Sequence, residues 1–384
     1  MIYLDNAATS HPKPPSVVKA VNDALLKYGG NPGRGTNSMA LQAYRKVFQV
    51  REKIADFFGI DDSSRIIFTS NATEALNLAI KGMGIETGEV ITSPMEHNSV
   101  IRPLALLKRQ GVEVKKVKAS ERGEIDPDDV KKIITKKTRL AVFTHSSNVL
   151  GTIVPINEIG KICREYGVVF LVDAAQSAGH IPIDVKSSSI DLLAASGHKG
   201  LFGMQGTGFL YISPDVSLIP LKEGGTGSFS ESENQPDELP DKFESGTLNT
   251  PGIVSLGAGI DYIKKKGGIE AIAEKEKNLI NKLIDGIKDI DRIELYGLIG
   301  KENRLGVLSL NIKNRDPMKV SEILDKKFGI ITRAGIHCAP DAHRLAGTFP
   351  NGTVRLSPGI FNSEKDIDKT IKVLHILARK SVFF

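Results

Sequence analysis

The chain is 384 residues long, 40% hydrophobic and 25% charged, with no tryptophan, two cysteines and a formal net charge of +6. That is the composition of an ordinary soluble globular protein, long enough to bury a large core in about two domains. Its lysines are scattered or sit in short runs such as Lys264–Lys266, with no zinc finger and no aromatic-interleaved basic patch. Solvated helix faces therefore account for the charge, and no nucleic-acid partner is expected.

The first residues, MIYLDNAATS, show no charged-then-apolar signal pattern, and no apolar run reaches the length of a membrane span. A cytoplasmic chain with reduced thiols and no membrane partner is expected. From about residue 65 to 212, short apolar runs alternate with helix-period segments. RIIFTS, EVITSP, LAVFTH, VVFLVDAA, DLLAAS and TGFLYIS predict strands. TEALNLAIKGM, SVIRPLALLKRQG and PINEIGKICREYG, lying between them, predict helices. This alternation predicts an α/β domain with a mostly parallel central sheet covered on both faces.

Residues 228–246, SFSESENQPDELPDKFESG, are acidic and Pro-punctuated and predict a long exposed loop. A helix is expected near 252–266, then a long amphipathic one in GIEAIAEKEKNLINKLIDGIKDI. Strand RLGVLSLNI, helix PMKVSEILDKKFG, strands IITRAG and TVRLSPG, and helix SEKDIDKTIKVLHILARK complete a smaller α+β domain. The expected division is a large domain over 15–255 and a small one over 1–14 plus 256–384.

In open parallel sheets the carboxyl ends of the strands face the ligand crevice, so the residues that follow each strand are the site candidates. After RIIFTS, Asn71 predicts an N-cap with Glu74 three residues on, and Thr73 sits at a helix start able to take an anion. MEHNS follows EVITSP, where Asn98 or Ser99 is the expected cap and His97 is either incidental or functional. Asn148, after LAVFTH, serves a turn or a ligand. Asp173 ends an apolar strand, which is costly unless a cation or strong donors meet it. Lys199, in SGHKG, follows it by one helix-plus-strand unit. Lysine, carboxylate and anion-binding helix start together suit pyridoxal phosphate, with a Schiff-base lysine, a partner for the pyridine nitrogen and a phosphate site.

The two cysteines read differently. Cys163 lies on the stripe Ile156, Ile159, Cys163, Tyr166 and predicts a core position. Cys338, in RAGIHCAP, sits in a Gly-containing loop between two predicted strands. A disulfide to Cys163 is allowed by counting alone, and zinc could use Cys338, His337, Asp341 and His343, but no CxxC or HExxH supports a metal and none is expected. A reactive thiol is the remaining reading, with Arg333 and His337 to favour the thiolate, although an extended chain would point His337 away. Arg355, between Val354 and Leu356, points opposite to its apolar neighbours, and by alternation alone is an exposed edge-strand charge. GMGIETG and GLIGKE miss the dinucleotide and Walker spacings, and no GxSxG is present.

YLDNAATS, SNATEALNLAI, MEHNS, SNVLGT, VDAAQ, SGHKGLFG, ESGT, RAGIHCAP and VRLSPGIFN occur in one order. Together they closely resemble the class V aminotransferase family, and within it the cysteine desulfurases of the short-loop branch with an R-x-G-x-HCA motif. The resemblance covers essentially the whole chain and implies the fold type I architecture of PLP-dependent transferases. It implies Lys199 as the Schiff-base lysine, Asp173 on the pyridinium nitrogen, Gln176 on the phenolic oxygen and His97 stacked on the ring. Thr73, Ser196 and His198 would hold the phosphate beside Ala72, with Thr247 reaching in from a second subunit. Asn148 would contact cofactor or substrate, Arg355 the substrate carboxylate, and Cys338 would be the nucleophile. The chain departs from the family pattern at NPGRGTNSMA, where Arg34 or Asn37 stands near a position often held by histidine, and at Met204 and Gln205.

The implied function is conversion of L-cysteine to L-alanine with a persulfide on Cys338, supplying sulfur for iron–sulfur cluster or other sulfur-containing cofactor assembly. A homodimer and a sulfur-acceptor or scaffold protein are the implied partners. The alternatives are a selenocysteine lyase, another PLP-dependent lyase or aminotransferase, and a non-catalytic scaffold or regulator of the same fold.

Overall fold

The computed structural model describes residues 1–32, 37–300 and 302–379. Strand β1 (Ile2–Tyr3) opens the chain, followed by helices α1 (Pro15–Lys27) and α2 (Ser38–Phe58), a stretch for which the sequence reading assigned no element. Then come β2 (Ile66–Thr69), α3 (Ala72–Gly82), β3 (Glu89–Thr92), α4 (Asn98–Arg109), β4 (Glu113–Lys116) and α5 (Pro127–Ile133). The alternation continues through β5 (Thr138–Thr144), α6 (Ile156–Tyr166), β6 (Val169–Asp173), β7 (Leu192–Ser196) and β8 (Gly208–Ile212).

These strands form a seven-stranded sheet in the order β2-β8-β7-β6-β5-β3-β4. Only β8 runs antiparallel to its neighbours, so the carboxyl ends of β2, β3, β5, β6 and β7 share one edge. Both faces are covered: Ala141 and Phe143 of β5 enter one hydrophobic core, Leu140 and Val142 the other. A strand buried on both sides needs no polar face, which is why these segments read as unbroken apolar runs. The strand that escapes the pattern is β4, EVKK, a partly exposed edge paired on one side to β3.

Two helices, α7 (Thr250–Lys265) and α8 (Gly268–Ile287), lead to the second part of the chain. There β9 (Ile293–Tyr296), β10 (Leu308–Ile312), α9 (Pro317–Phe328), β11 (Ile330–Ile331) and β12 (Arg333–Gly335) follow, then α10 (Pro340–Leu345), β13 (Thr353–Leu356) and α11 (Glu364–Arg379). The four-stranded sheet has the order β12-β13-β10-β9, and IITRAG, read as one strand, is split: β11 leaves that sheet to pair in parallel with β1. Ile2 and Leu4 therefore join the core formed by α8, α9, α11 and these strands. The amino-terminal arm is thus held at both ends, since Ser10 N–H and the Lys13 Nζ also donate to the carbonyl of His198 in the larger sheet's crevice, at 3.2 and 2.8 Å.

Residues 213–249 carry no helix or strand. The expected exposed loop is anchored at its end, because Glu244 is buried and takes a two-pronged hydrogen bond from Arg51 at 2.8 and 2.9 Å. The Phe68 N–H donates to the same carboxylate at 2.6 Å, and the guanidinium lies over the Phe68 ring. Removing one partner of a buried pair strands the other charge. Glu244→Leu is therefore expected to cost about 3–5 kcal/mol in chemical denaturation. Arg51→Met combined with Glu244→Leu should cost clearly less than Glu244→Leu alone, because no charge is left unpaired.

Candidate active site

The shared strand edge opens on a polar-lined, partly enclosed cavity. Ala72 and Thr73 reach it from the start of α3, His97 from the cap of α4, and Asn148 from the turn after β5. Asp173 and Gln176 enter at the end of β6, and Ser196, His198 and Lys199 at the end of β7. Nine residues singled out from sequence thus line one space, because each follows a strand whose carboxyl end lies on the same edge.

Asp173 is buried and accepts the Ala175 N–H at 2.9 Å. Burial pushes its carboxyl above the usual range, opposed by that hydrogen bond and by the charge of Lys199. Lys199 is pushed the other way, down to about 8, chiefly by desolvation and further by Arg355 and Arg333, with Asp173 resisting. Its neutral amine, the form able to attack a carbonyl, is half populated near that pH. Glu96, which the sequence reading left without a role, is fully buried beneath the site. Ser93 Oγ donates to it at 2.6 Å and the Thr144 N–H at 3.0 Å, but desolvation dominates and raises it to about 8. Glu96 lies four residues past the end of β3, whereas Asp173 is the last residue of β6, so the signal that found Asp173 does not reach it.

At the other end of the cavity, Asn71 caps α3 as predicted, its side-chain oxygen accepting the Glu74 N–H at 2.9 Å. The N–H groups of Ala72 and Thr73 belong to a first turn without intrahelical acceptors. The cap of α4 is not Asn98 or Ser99 but His97, whose Nδ1 accepts the Ser99 N–H at 3.1 Å. Burial and nearby cations push the ring down to about 4, so it is neutral near pH 7 with its proton on Nε2. Ser99 Oγ lies 2.9 Å from the same nitrogen and 2.7 Å from Thr73 Oγ1, linking ring and helix start. His198 Nδ1 lies 3.0 Å from Thr9 Oγ1, so the amino-terminal arm packs on this loop as well.

Cys338 opens into a second, shallower space shared with Thr73, His97, Ser99, Arg102 and Arg109. His337 and Cys338 both adopt the left-handed conformation, with φ of 48° and 58°, which costs strain in residues other than glycine. The expected extended backbone is therefore absent. Asn148 Nδ2 donates to the His337 carbonyl and the Asn98 N–H to that of Cys338, both at 2.7 Å, pinning the loop to the large sheet. His337 is buried between Arg333 O and His343 Nε2, and desolvation with the charge of Arg355 pushes it down to about 2. It is neutral and lends the thiol no charge. Arg333 does, with Nη2 at 4.0 Å from Sγ.

Arg355 is not an exposed edge charge. Strand β13 lies inside its sheet, and the side chain is 1% exposed. Its Nη1 donates to Asn148 O at 3.0 Å and its Nη2 to Asp5 Oδ1 at 2.8 Å. No local pattern could have announced Asp5, whose partner lies 350 positions away. Cys163 is buried in the core and raised to about 12 by desolvation. Tyr166, placed on the same stripe, is exposed instead, at the last residue of α6 before its Gly167 cap. Thr247 is exposed, 3.3 Å from Asn31 Nδ2, and outside the cavity of its own chain. Asn37 caps α2, and Arg34 lies outside the described residues. No helix among the described residues is long and apolar enough to cross a membrane.

The aminotransferase class-V family model matches residues 2–370. A probable cysteine desulfurase of Methanothermobacter thermautotrophicus is 41% identical over 98% of this chain and 94% of its own length. The apo structure of a cysteine desulfurase from Thermococcus onnurineus superposes with a TM-score of 0.91 at 36% identity, covering 98% of this chain and 94% of that one. A cysteine desulfurase of Escherichia coli, solved in an S-sulfonic acid form, does so with a TM-score of 0.87 at 26% identity, over 97% of this chain and 93% of that one.

Proposed function

Because the chain belongs to the class V aminotransferase family, as one of its cysteine desulfurases, we propose that it uses pyridoxal phosphate to take sulfur from L-cysteine. The products are L-alanine and a persulfide on Cys338, which passes to an acceptor thiol for iron–sulfur cluster or related cofactor assembly in the cytoplasm. The observation that carries this reading is a buried lysine and a buried carboxylate in one cavity, beside a groove that exposes a cysteine.

The residues present fit the cofactor. Asp173 is a buried carboxyl whose neutralisation calls for a proton-bearing partner, and Ala72, Thr73, Ser196 and His198 bring donors to an anion. Gln176 Nε2, which already donates to Ala7 O at 3.0 Å, retains a second hydrogen. Lys199 would hold the group covalently through Nζ, Asp173 its ring nitrogen, Gln176 its phenolic oxygen, and neutral His97 would cover the ring. Once bound, the group supplies an electron sink that weakens the bonds of the substrate carbon skeleton. Lys199, released by the substrate amine, carries protons to and from carbon, and Arg355 with Asn148 holds the substrate carboxylate. The Cys338 thiolate attacks the substrate sulfur. An S–S bond forms, the Cβ–S bond breaks with its electron pair left on carbon, and that carbon takes up a proton to become the alanine methyl group.

Equal yields of alanine and sulfide from L-cysteine in the presence of reductant are the expected outcome of a product assay. Absence of alanine would overturn the assignment. The expected homodimer has composite sites, with Thr247 of each chain serving the other. Mixing inactive Lys199→Ala chains with inactive Thr247→Ala chains should then restore activity, since each hybrid has one site with both lesions and one with neither. No recovery in confirmed heterodimers would show that the sites are not shared.

A further inference from the structure

Arg355 enters the site already paired. Its guanidinium offers two edges to a carboxylate, and in this structure both are half used: Nη1 is committed to Asn148 O, and Nη2 to Asp5 Oδ1. Nε is buried and has no acceptor among the described residues. Nε and Nη2 form the remaining fork, so Asp5 occupies one prong of the place where a substrate carboxylate would bind in two-pronged fashion. Arg333 stands directly across from Arg355 on β12, which leaves two guanidinium groups and one resident carboxylate at this point. The Asp5 backbone is fixed: its neighbours exchange hydrogen bonds with Ser357, Leu4 O accepting its N–H at 2.7 Å and Asn6 N–H donating to its carbonyl at 3.2 Å. Only the side chain is free to turn, and it is partly exposed while its partner is not.

We propose that Asp5 is a resident counter-ion of Arg355 that competes with the substrate carboxylate and so determines how tightly that carboxylate is held. The inference rests on Arg355 as the carboxylate-binding residue. Before substrate binds, Asp5 keeps a buried guanidinium from standing without a counter-charge, a state that is strongly unfavourable. When substrate arrives, a second negative charge approaches the same fork, and Asp5 must turn away or share it at the cost of like-charge repulsion. Asparagine at this position keeps the volume and one acceptor for Nη2 but removes the repulsion.

The test uses the holoprotein and calorimetric titration with 3-mercaptopropionate, which carries the carboxylate and thiol but no amine, and with its methyl ester. Asp5→Asn should bind the acid about tenfold more tightly than wild type and the ester unchanged, and KM for L-cysteine should fall with it. Asp5→Glu, which retains the charge, should stay near wild type. Should Asp5→Asn not fold, Asp5→Ser reads the same way. Equal or weaker binding of the acid by the folded variant overturns the proposal, as does equal weakening of acid and ester with a lowered melting temperature, the signature of a merely structural pair. Arg355→Gln separates the underlying reading: if that variant binds the acid as wild type does, Arg355 is not the carboxylate site. If it loses binding while Asp5→Asn gains none, only the role of Asp5 fails.

Discussion

Lys199→Ala is expected to leave a folded protein with no turnover of L-cysteine and none of the absorbance near the visible edge that a lysine-held cofactor gives. Lys199 is the only lysine among the described residues that line the cavity, and lysine is the side chain there that can form and exchange an imine with an aldehyde. Loss of its proton transfers alone is worth about 10²–10⁴-fold, and loss of the covalent attachment adds to that. Arginine should not rescue, because its guanidinium stays protonated and is no nucleophile. Added methylamine should restore a small rate without restoring the attachment, since it supplies a neutral amine to the space that the side chain leaves. Full activity in the alanine variant would remove the lysine from the mechanism.

What could be read from the sequence, and what could not, follows from how far apart the interacting groups lie. The apolar runs ending in Asp173 and Ser196, and the helix start at Asn71, are local signals, and the sheet brings them together because these strands are parallel and buried on both faces. Strand β4 was hidden by its charges: an edge strand covered on one side needs no apolar run. The split of IITRAG was hidden too, because its first half pairs with residues 2 and 3, more than three hundred positions earlier. Arg355 looked like a surface charge since alternation gives the direction of a side chain but not what meets it there. What meets it is Asp5, on an arm held in place by that same β1–β11 pairing. Even Cys338 was only half legible. The motif and loop were visible, but the left-handed turn that pins it and the neutrality of His337 depend on contacts with Asn98, Asn148 and His343.

Those contacts define what Cys338→Ser should do. The residue sits on a turn tied to the large sheet by two hydrogen bonds, with Arg333 beside the sulfur and a basic groove before it. Neither holding the cofactor nor taking up substrate uses the thiol, and serine preserves the turn, so the absorbance of the bound cofactor and its change on adding L-cysteine should both persist. Sulfur transfer should not. A hydroxyl is a far weaker nucleophile than a thiolate at neutral pH, and production of alanine and sulfide should fall to roughly 1% of wild type or less. Cys163→Ser provides the contrast. That thiol is sealed in the core and raised to about 12, so it is neither accessible nor ionised, and its replacement should cost stability rather than turnover. The pinned turn would also constrain delivery under the proposed function: an acceptor would have to enter the groove lined by Arg102 and Arg109 to reach a persulfide on Cys338, unless the bonds from Asn98 and Asn148 break. Sulfide release from L-cysteine by Cys338→Ser at the wild-type rate would end the desulfurase mechanism, and normal activity confined to selenocysteine would make the protein a selenocysteine lyase.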